Sequence, residues 1–184
     1  ANAILIGLVG SDMCIRDREI NMDKWNKRFM ELTEHIATWS SCLRRQVGAV
    51  IVKDKRIMTT GYNGAPAGVK TCIERGTCMR NEMNIPSGTH AELCYAAHAE
   101  QNAIIQAAKE GISLKGCVLY CTHQPCVVCA KMIINAGIKE VIYKEGYPDE
   151  FSQKICSEAG VKLTKFEDLE KEDNKKIRVY KKSK

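Results

Sequence analysis

The triplet His-Ala-Glu occurs twice in the stretch SGTHAELCYAAHAEQNAI, at His90–Glu92 and at His98–Glu100. A histidine ring nitrogen can ligate a metal, and a glutamate two positions on can carry protons to and from whatever that metal activates. Downstream, PCVVC sets Cys126 and Cys129 three apart, a pair of thiols suited to one ion. A zinc ion that does chemistry takes three protein ligands and leaves the fourth position to water. His98, Cys126 and Cys129 make such a set, with Glu100 as the proton carrier.

Only one triplet can belong to that set. If residues 90–105 were one helix, His90 and His98 would lie about 12 Å apart along its axis and could not share an ion. Pro86-Ser87-Gly88 precede the first triplet, whereas an apolar helical stripe of Ala99, Ala103, Ile104, Ala107 and Ala108 follows the second. The second copy is therefore the catalytic one. An H-x-E opening one helix and a P-C-x-x-C opening the next is the signature of zinc nucleobase deaminases. The first copy keeps different company: Cys94 is four residues after His90, and Cys42, Cys72 and Cys78 lie upstream. Four of these five would close a structural zinc site, which would supply the folding free energy that an insert poor in apolar residues lacks. Cys42 and Cys78 compete for one of the places.

The elements that must position these residues can be read from periodicity. Trp25, Phe29, Leu32, Ile36 and Trp39 recur at helical spacing, predicting an amphipathic helix that ends near Ser40. VGAVIV (47–52), the turn KDKR and RIMTTGY (56–62) predict a β-hairpin. Residues 63–97 show no period and read as an irregular, zinc-binding insert. The stripe after His98 is a helix stopped by Gly111, and CVLYCT (117–122) is a buried strand. Pro125 starts a helix that runs to Ala136. EVIY (140–143), a helix around 150–158 and VKLTKF (161–166) complete the order. A hairpin followed by alternating helices and strands implies an α/β fold, a three-layer α-β-α sandwich around a mixed five-stranded sheet. The domain is expected over 22–166, with 1–21 a leftover expression sequence or a wrongly assigned start, and 167–184 a basic tail.

Bulk properties narrow the function. The 184 residues carry a formal net charge of +6, but NKKIRVYKKSK (174–184) holds six Lys/Arg and no acid, so the rest of the chain is neutral. That distribution argues against a nucleic-acid binding face, since a basic terminal tail is ordinarily a solvated end. No apolar run approaches the length of a membrane span, and ILIGLV near the start lacks the basic flank of a signal peptide. Ten cysteines without a secretion signal point to metal or catalysis in a reducing, cytoplasmic setting rather than to disulfides.

SSCLRRQVGAVIV (40–52), GYNGAPAG (61–68), HAEQNAI (98–104) and THQPCVVCAKMIINAGI (122–138) closely resemble the deoxycytidylate deaminase family, in the family's order, from about Met22 to about Lys165. The resemblance implies a cytidine deaminase-like fold and zinc-dependent hydrolysis of dCMP to dUMP and ammonia, feeding thymidylate synthesis. It implies that Asn63 hydrogen-bonds the sugar, with Ala99, Asn102 and Tyr147 as further substrate contacts, and that a second zinc sits in the insert region. It further implies a homohexamer activated by dCTP and inhibited by dTTP. Arg44, Arg45, Lys70 and Arg80 are all available for the phosphate, without a choice among them. A tRNA adenosine deaminase shares H-A-E and P-C-x-x-C but lacks the Cys/His insert. A free cytidine or cytosine deaminase fits the same metal set, because fold and metal do not fix the substrate. A non-catalytic zinc module would have no use for Glu100.

Overall fold

The computed structural model describes residues 10–86, 89–146 and 149–171. In chain order the elements are α1 (Gly10–Ala37), β1 (Gly48–Lys53), β2 (Arg56–Tyr62), α2 (Cys72–Arg75), α3 (Met79–Glu82), a 3-10 turn (Ala91–Leu93), α4 (Ala99–Lys109), β3 (Val118–His123), α5 (Val127–Asn135), β4 (Glu140–Glu145), α6 (Glu150–Glu158) and β5 (Lys162–Lys165). The strands form one sheet in the order β2-β1-β3-β4-β5. β1 pairs antiparallel with both β2 and β3, while β3–β4 and β4–β5 are parallel. This is the mixed five-stranded sheet expected from the sequence.

Side-chain alternation along β1 divides the core in two. Val50 and Val52 meet Phe29, Met30 and Ile36 of α1, with Tyr120 and Ile142 from the neighbouring strands. Ala49 and Ile51 point the other way, into Ala99, Ala103, Cys129 and Ile133 of α4 and α5. A central strand covered on both faces must be apolar throughout, which is why GAVIVK shows no polar alternation. The hairpin turn is Asp54-Lys55, both at positive φ (49° and 64°), the two-residue geometry whose twist matches the strands it joins.

Two glycines let helices lie directly on the sheet. A Cβ on Gly48 would sit 2.2 Å from the Thr33 carbonyl oxygen of α1, and one on Gly61 would sit 2.3 Å from the Ala99 oxygen and 2.5 Å from the Ala103 nitrogen of α4. Gly61→Ala must therefore push α4 off the sheet, and is expected to destabilise the fold by about 2–3 kcal/mol. A thermal melt would show this as a fall of several degrees, with Gly64→Ala, whose added Cβ meets nothing closer than 3.6 Å, as the near-neutral comparison.

Several boundaries differ from expectation. α1 begins at Gly10, well before Met22, because residues 11–21 contain no Gly or Pro to stop a helix propagating back from its docked half. It ends at Ala37, where the Thr38 hydroxyl donates to the His35 carbonyl, leaving Trp39 outside the helix and 53% exposed. Trp39 packs edge-on against His35 and Tyr62 rather than joining the core. Pro125 precedes the helix it was expected to open: Cys126 is the N-cap and Val127 the first helical residue. The expected tail from 167 begins with helix, since residues 166–171 are helical and bury Phe166 against the α1 side. Residues 1–9 and 172–184 lie outside the described residues. Among the described residues no helix is long and apolar enough to cross a membrane.

Candidate active site

The starts of α4 and α5 meet beside the sheet, and each is held from several sides. Ala97 forms a two-bond bridge with Gly64, closing the 64–97 excursion just ahead of His98. His98, the N-cap of α4, donates its backbone N–H to Oε1 of Gln101 at 2.8 Å. The Asn102 amide donates to the Tyr62 carbonyl at 2.8 Å, tying the same turn to β2. At α5, Asp149 accepts from the Val127 N–H (3.0 Å) and from the Ser152 N–H (2.9 Å), so one carboxylate caps both α5 and α6. Ser152, fully buried, donates to the Pro125 carbonyl at 2.9 Å.

This scaffolding gathers His98, Cys126 and Cys129, whose ligand atoms all lie within 4.8 Å of one another. His98 Nδ1 stands 3.3 Å from Cys129 Sγ and 3.5 Å from Cys126 Sγ. Tetrahedral zinc with its usual bond lengths separates nitrogen and sulfur ligands by about 3.5 Å, so one nitrogen and two sulfurs are already spaced for that ion. Their electrostatics agree. The Cys129 thiol donates to the Cys126 sulfur, which, with His98, holds the Cys126 pKa down to about 4 against the opposing effect of burial. Cys129 is pushed up by the same bond and by burial, so a metal entering here displaces its proton. The contact with Cys126 raises the pKa of His98, opposed by burial and by the Arg80 guanidinium. Glu100, 4% exposed, has its carboxyl pKa raised by burial, partly offset by His98.

These residues open into a cavity of about 470 Å³, a size that encloses a small-molecule ligand. Asn63, Ala99 and His123 line it, as do Arg44, Arg45 and Arg80; Asn102 and Lys70 do not. Asn63 is largely occupied: its Oδ1 accepts from the Val47 N–H (2.8 Å), its Nδ2 donates to the Arg45 carbonyl (2.9 Å), and its own carbonyl accepts from the Ser40 hydroxyl. Its first task is to hold the 40–47 loop. Tyr147 lies outside the described residues. His123 is half-buried beside Thr122, its pKa lowered by burial and then by Arg45.

Of the five candidates for a second metal, four lie in one neighbourhood, although among the described residues only His98, Cys126 and Cys129 bring three ligand atoms within 4.8 Å of one another. Cys42, Cys78 and Cys94 line the cavity, and Cys72 behind them hydrogen-bonds Cys78; burial raises the Cys72 pKa, and the charges of Cys78, Cys42 and Cys94 raise it further. His90 is not drawn in. Its backbone takes φ 49°, its side chain is 63% exposed, and its ring bonds the Glu92 carboxylate at 3.0 Å. The helical spacing expected from His90 to Cys94 fails because only a short 3-10 turn forms there. Asp149 is a residue that spacing did not single out, although an Asp just before a helix is a recognisable cap signal.

A three-layer sandwich in which two helix starts bring a His/Cys/Cys set against a buried glutamate defines the class of zinc-site nucleobase deaminase folds. The model of the cytidine and deoxycytidylate deaminase zinc-binding region matches residues 23–145. The chain belongs to the cytidine and deoxycytidylate deaminase family. It is 37% identical over 143 residues to deoxycytidylate deaminase of Schizosaccharomyces pombe, covering 77% of this chain and 44% of that protein. It is 40% identical over 144 residues to ComE operon protein 2 of Bacillus subtilis, covering 78% and 71%. Among solved structures it resembles dCMP deaminase from the cyanophage S-TIM5 in complex with dCMP and dUMP, with a TM-score of 0.63 and 34% identity, covering 77% of this chain and 96% of that one. The chain thus spans less than half the length of the fission-yeast relative.

Proposed function

We propose that this chain hydrolyses dCMP to dUMP and ammonia. The observation that carries the reading is the His98–Cys126–Cys129 set with the buried Glu100 carboxyl beside it, in a cavity that also holds three arginines. The S. pombe relative's name and the nucleotides in the S-TIM5 complex support the choice of substrate.

His98, Cys126 and Cys129 would hold zinc, which when bound supplies the Lewis acidity that makes a water nucleophilic near neutral pH. Glu100 does the proton work. As carboxylate it takes a proton from the attacking water and passes it to ring N3, raising the electrophilicity of C4; a second transfer protonates the departing amine. Burial suits it to both directions, because a raised pKa brings acid and base forms closer in energy at the operating pH. Ala99, with its side chain fully buried in the cavity wall, restricts the space over the base, and Asn63 contributes its remaining donor to the sugar.

A second zinc is part of the proposal, held by Cys42, Cys72, Cys78 and Cys94 rather than by His90. The neighbourhood of four sulfurs supports it, since four thiolates are the donor type of closed, structural zinc sites. Homo-oligomeric assembly and control by dCTP and dTTP rest on the sequence resemblance. The nine cysteines from Cys42 to Cys156 are free thiols, which suits a reducing, cytoplasmic setting. A domain over 22–166 is consistent with the extent of the matching family region.

Ammonia release from dCMP, dCTP and deoxycytidine, with and without dCTP as effector, tests the reading on zinc-loaded protein. dCMP is expected to be the preferred substrate. No release from dCMP, with zinc bound and tRNA or free cytosine deaminated instead, would overturn it.

A further inference from the structure

The His98–Cys126–Cys129 set draws its ligands from α4 and α5, but a third element that offers it no ligand holds one half of it. The turn Gln124-Pro125-Cys126-Val127 is tied to the 145–152 segment on both sides of Cys126. The Gln124 N–H donates to the Glu145 carbonyl at 2.7 Å, and Gly146 lies against the same residue, where an added Cβ would stand 2.7 Å from the Gln124 Cβ. The Pro125 carbonyl accepts from the hydroxyl of the fully buried Ser152 at 2.9 Å. The Val127 N–H donates to Asp149 Oδ2 at 3.0 Å, and Asp149 Oδ1 closes the circuit by accepting from the Ser152 N–H at 2.9 Å.

These bonds meet a need that α5 cannot meet by itself. The first N–H groups of a helix have no partner within it. Cys126, the N-cap of α5, brings a sulfur to the place where an oxygen ordinarily accepts, and the Val127 N–H is served instead by a carboxylate from outside the helix. A charged acceptor shared between two helix starts gains from both, and makes a stronger cap than a neutral one. Fixing Val127 fixes the direction in which α5 leaves Cys126, and with it the place of the Cys129 sulfur one turn on. The sulfurs of Cys129 and Cys126 stand 3.3 and 3.5 Å from His98 Nδ1 as a result of that direction.

We propose that Asp149 is a positioning residue for the zinc thiolates: with Ser152 it forms a clamp at the start of α6 that holds Cys126 and Cys129 at ligand spacing. This rests on the reading of His98, Cys126 and Cys129 as zinc ligands. Ligands held in place before the ion arrives bind it more tightly, because less ordering remains to be done. The coupling is reciprocal, so the ion steadies the start of α6 in return. Asp149 also lines the substrate cavity, which makes direct contact with the nucleotide the competing role.

The test is zinc affinity of the full chain by chelator competition, read at the ion that Cys129→Ser fails to hold. Asp149→Ala is expected to weaken that ion by about 10–100-fold, and Asp149→Asn, which keeps one of the two acceptor oxygens, by less. With cobalt in place of zinc, Asp149→Ala should shift the visible absorption, whereas Glu150→Ala, an exposed neighbour on the same turn, should keep the parent spectrum. In the unaltered protein, zinc should slow hydrogen exchange at the Val127 and Ser152 amides relative to Ile51 of β1. The clamp is overturned if Asp149→Ala lowers the melting temperature but binds zinc as the parent does. It is overturned as well if that variant keeps its zinc affinity and raises KM for dCMP, which would make Asp149 a substrate contact. Should Asp149→Ala fail to fold, equal exchange at Val127 and Ser152 with and without zinc overturns the clamp. If instead Cys129→Ser retains all of its zinc, the ligand assignment itself falls, and the clamp with it.

Discussion

Glu100→Gln is expected to lower ammonia release from dCMP by roughly 10³-fold or more while the zinc content stays unchanged. General acid–base groups ordinarily contribute about 10²–10⁴-fold, and here one side chain is asked to serve both the attack and the departure of ammonia. Glutamine keeps the shape and the neighbours of Glu100, including its contact with Cys129, but cannot exchange protons. Turnover within about tenfold of the unaltered protein would remove Glu100 from the chemistry. The same substitution has a consequence for stability, with a definite sign. A carboxyl whose pKa is raised on folding destabilises the fold when charged: the penalty is absent below its ordinary value of 4.5 and fully present above the raised one. Metal-free Glu100→Gln should therefore melt above the metal-free parent at pH 8, and the gap should close as the pH falls towards 4.5. A gap independent of pH would mean that burial does not control this carboxyl.

Cys129→Ser is expected to abolish activity by another route. Cys129 is fully buried between α4 and α5, and its sulfur lies 3.3 Å from His98 Nδ1. A serine hydroxyl is a poor zinc ligand at neutral pH, and loss of a direct ligand should weaken zinc by more than the 10–100-fold typical of losing an outer partner. Metal analysis after dialysis should show about one zinc fewer per chain, with no turnover and a lowered melting temperature. Cys156→Ala provides the comparison: that thiol is equally buried but belongs to the α6 side of the core, so zinc content should be unaffected. Full zinc retention in Cys129→Ser would place the metal elsewhere.

The two substitutions probe different layers of the molecule. Glu100 follows Ala99, whose carbonyl lies against Gly61 where helix and strand backbones touch, so its placement is set by the sheet. Cys126 and Cys129 are set by the cap of α5 and by Asp149 reaching over from α6. An ion bridging His98 to this pair therefore joins α4 to α5 across the edge of the core. Metal loss should loosen both helices together.

Much of the chemistry was legible in the sequence because it is encoded locally. His98 with Glu100, and Cys126 with Cys129, each sit at the cap and first turn of one helix, so a short window of sequence fixes their relative placement. The order of helices and strands was legible for the same reason, since burial on one face or two writes a period into the chain. The tertiary structure decided what no short window contains. It placed Cys42, Cys72, Cys78 and Cys94 in one neighbourhood and left His90 in solvent, because a positive φ and a short 3-10 turn replaced the helix that spacing suggested. It turned Asn63 into the brace of the arginine loop, and it set Asp149 across two helix starts. It also brought Arg80 to the cavity of Arg44 and Arg45 and left Lys70 out. Residues of one type are indistinguishable along the chain; only the path of an aperiodic segment, fixed by its hydrogen bonds and thiols, chooses among them.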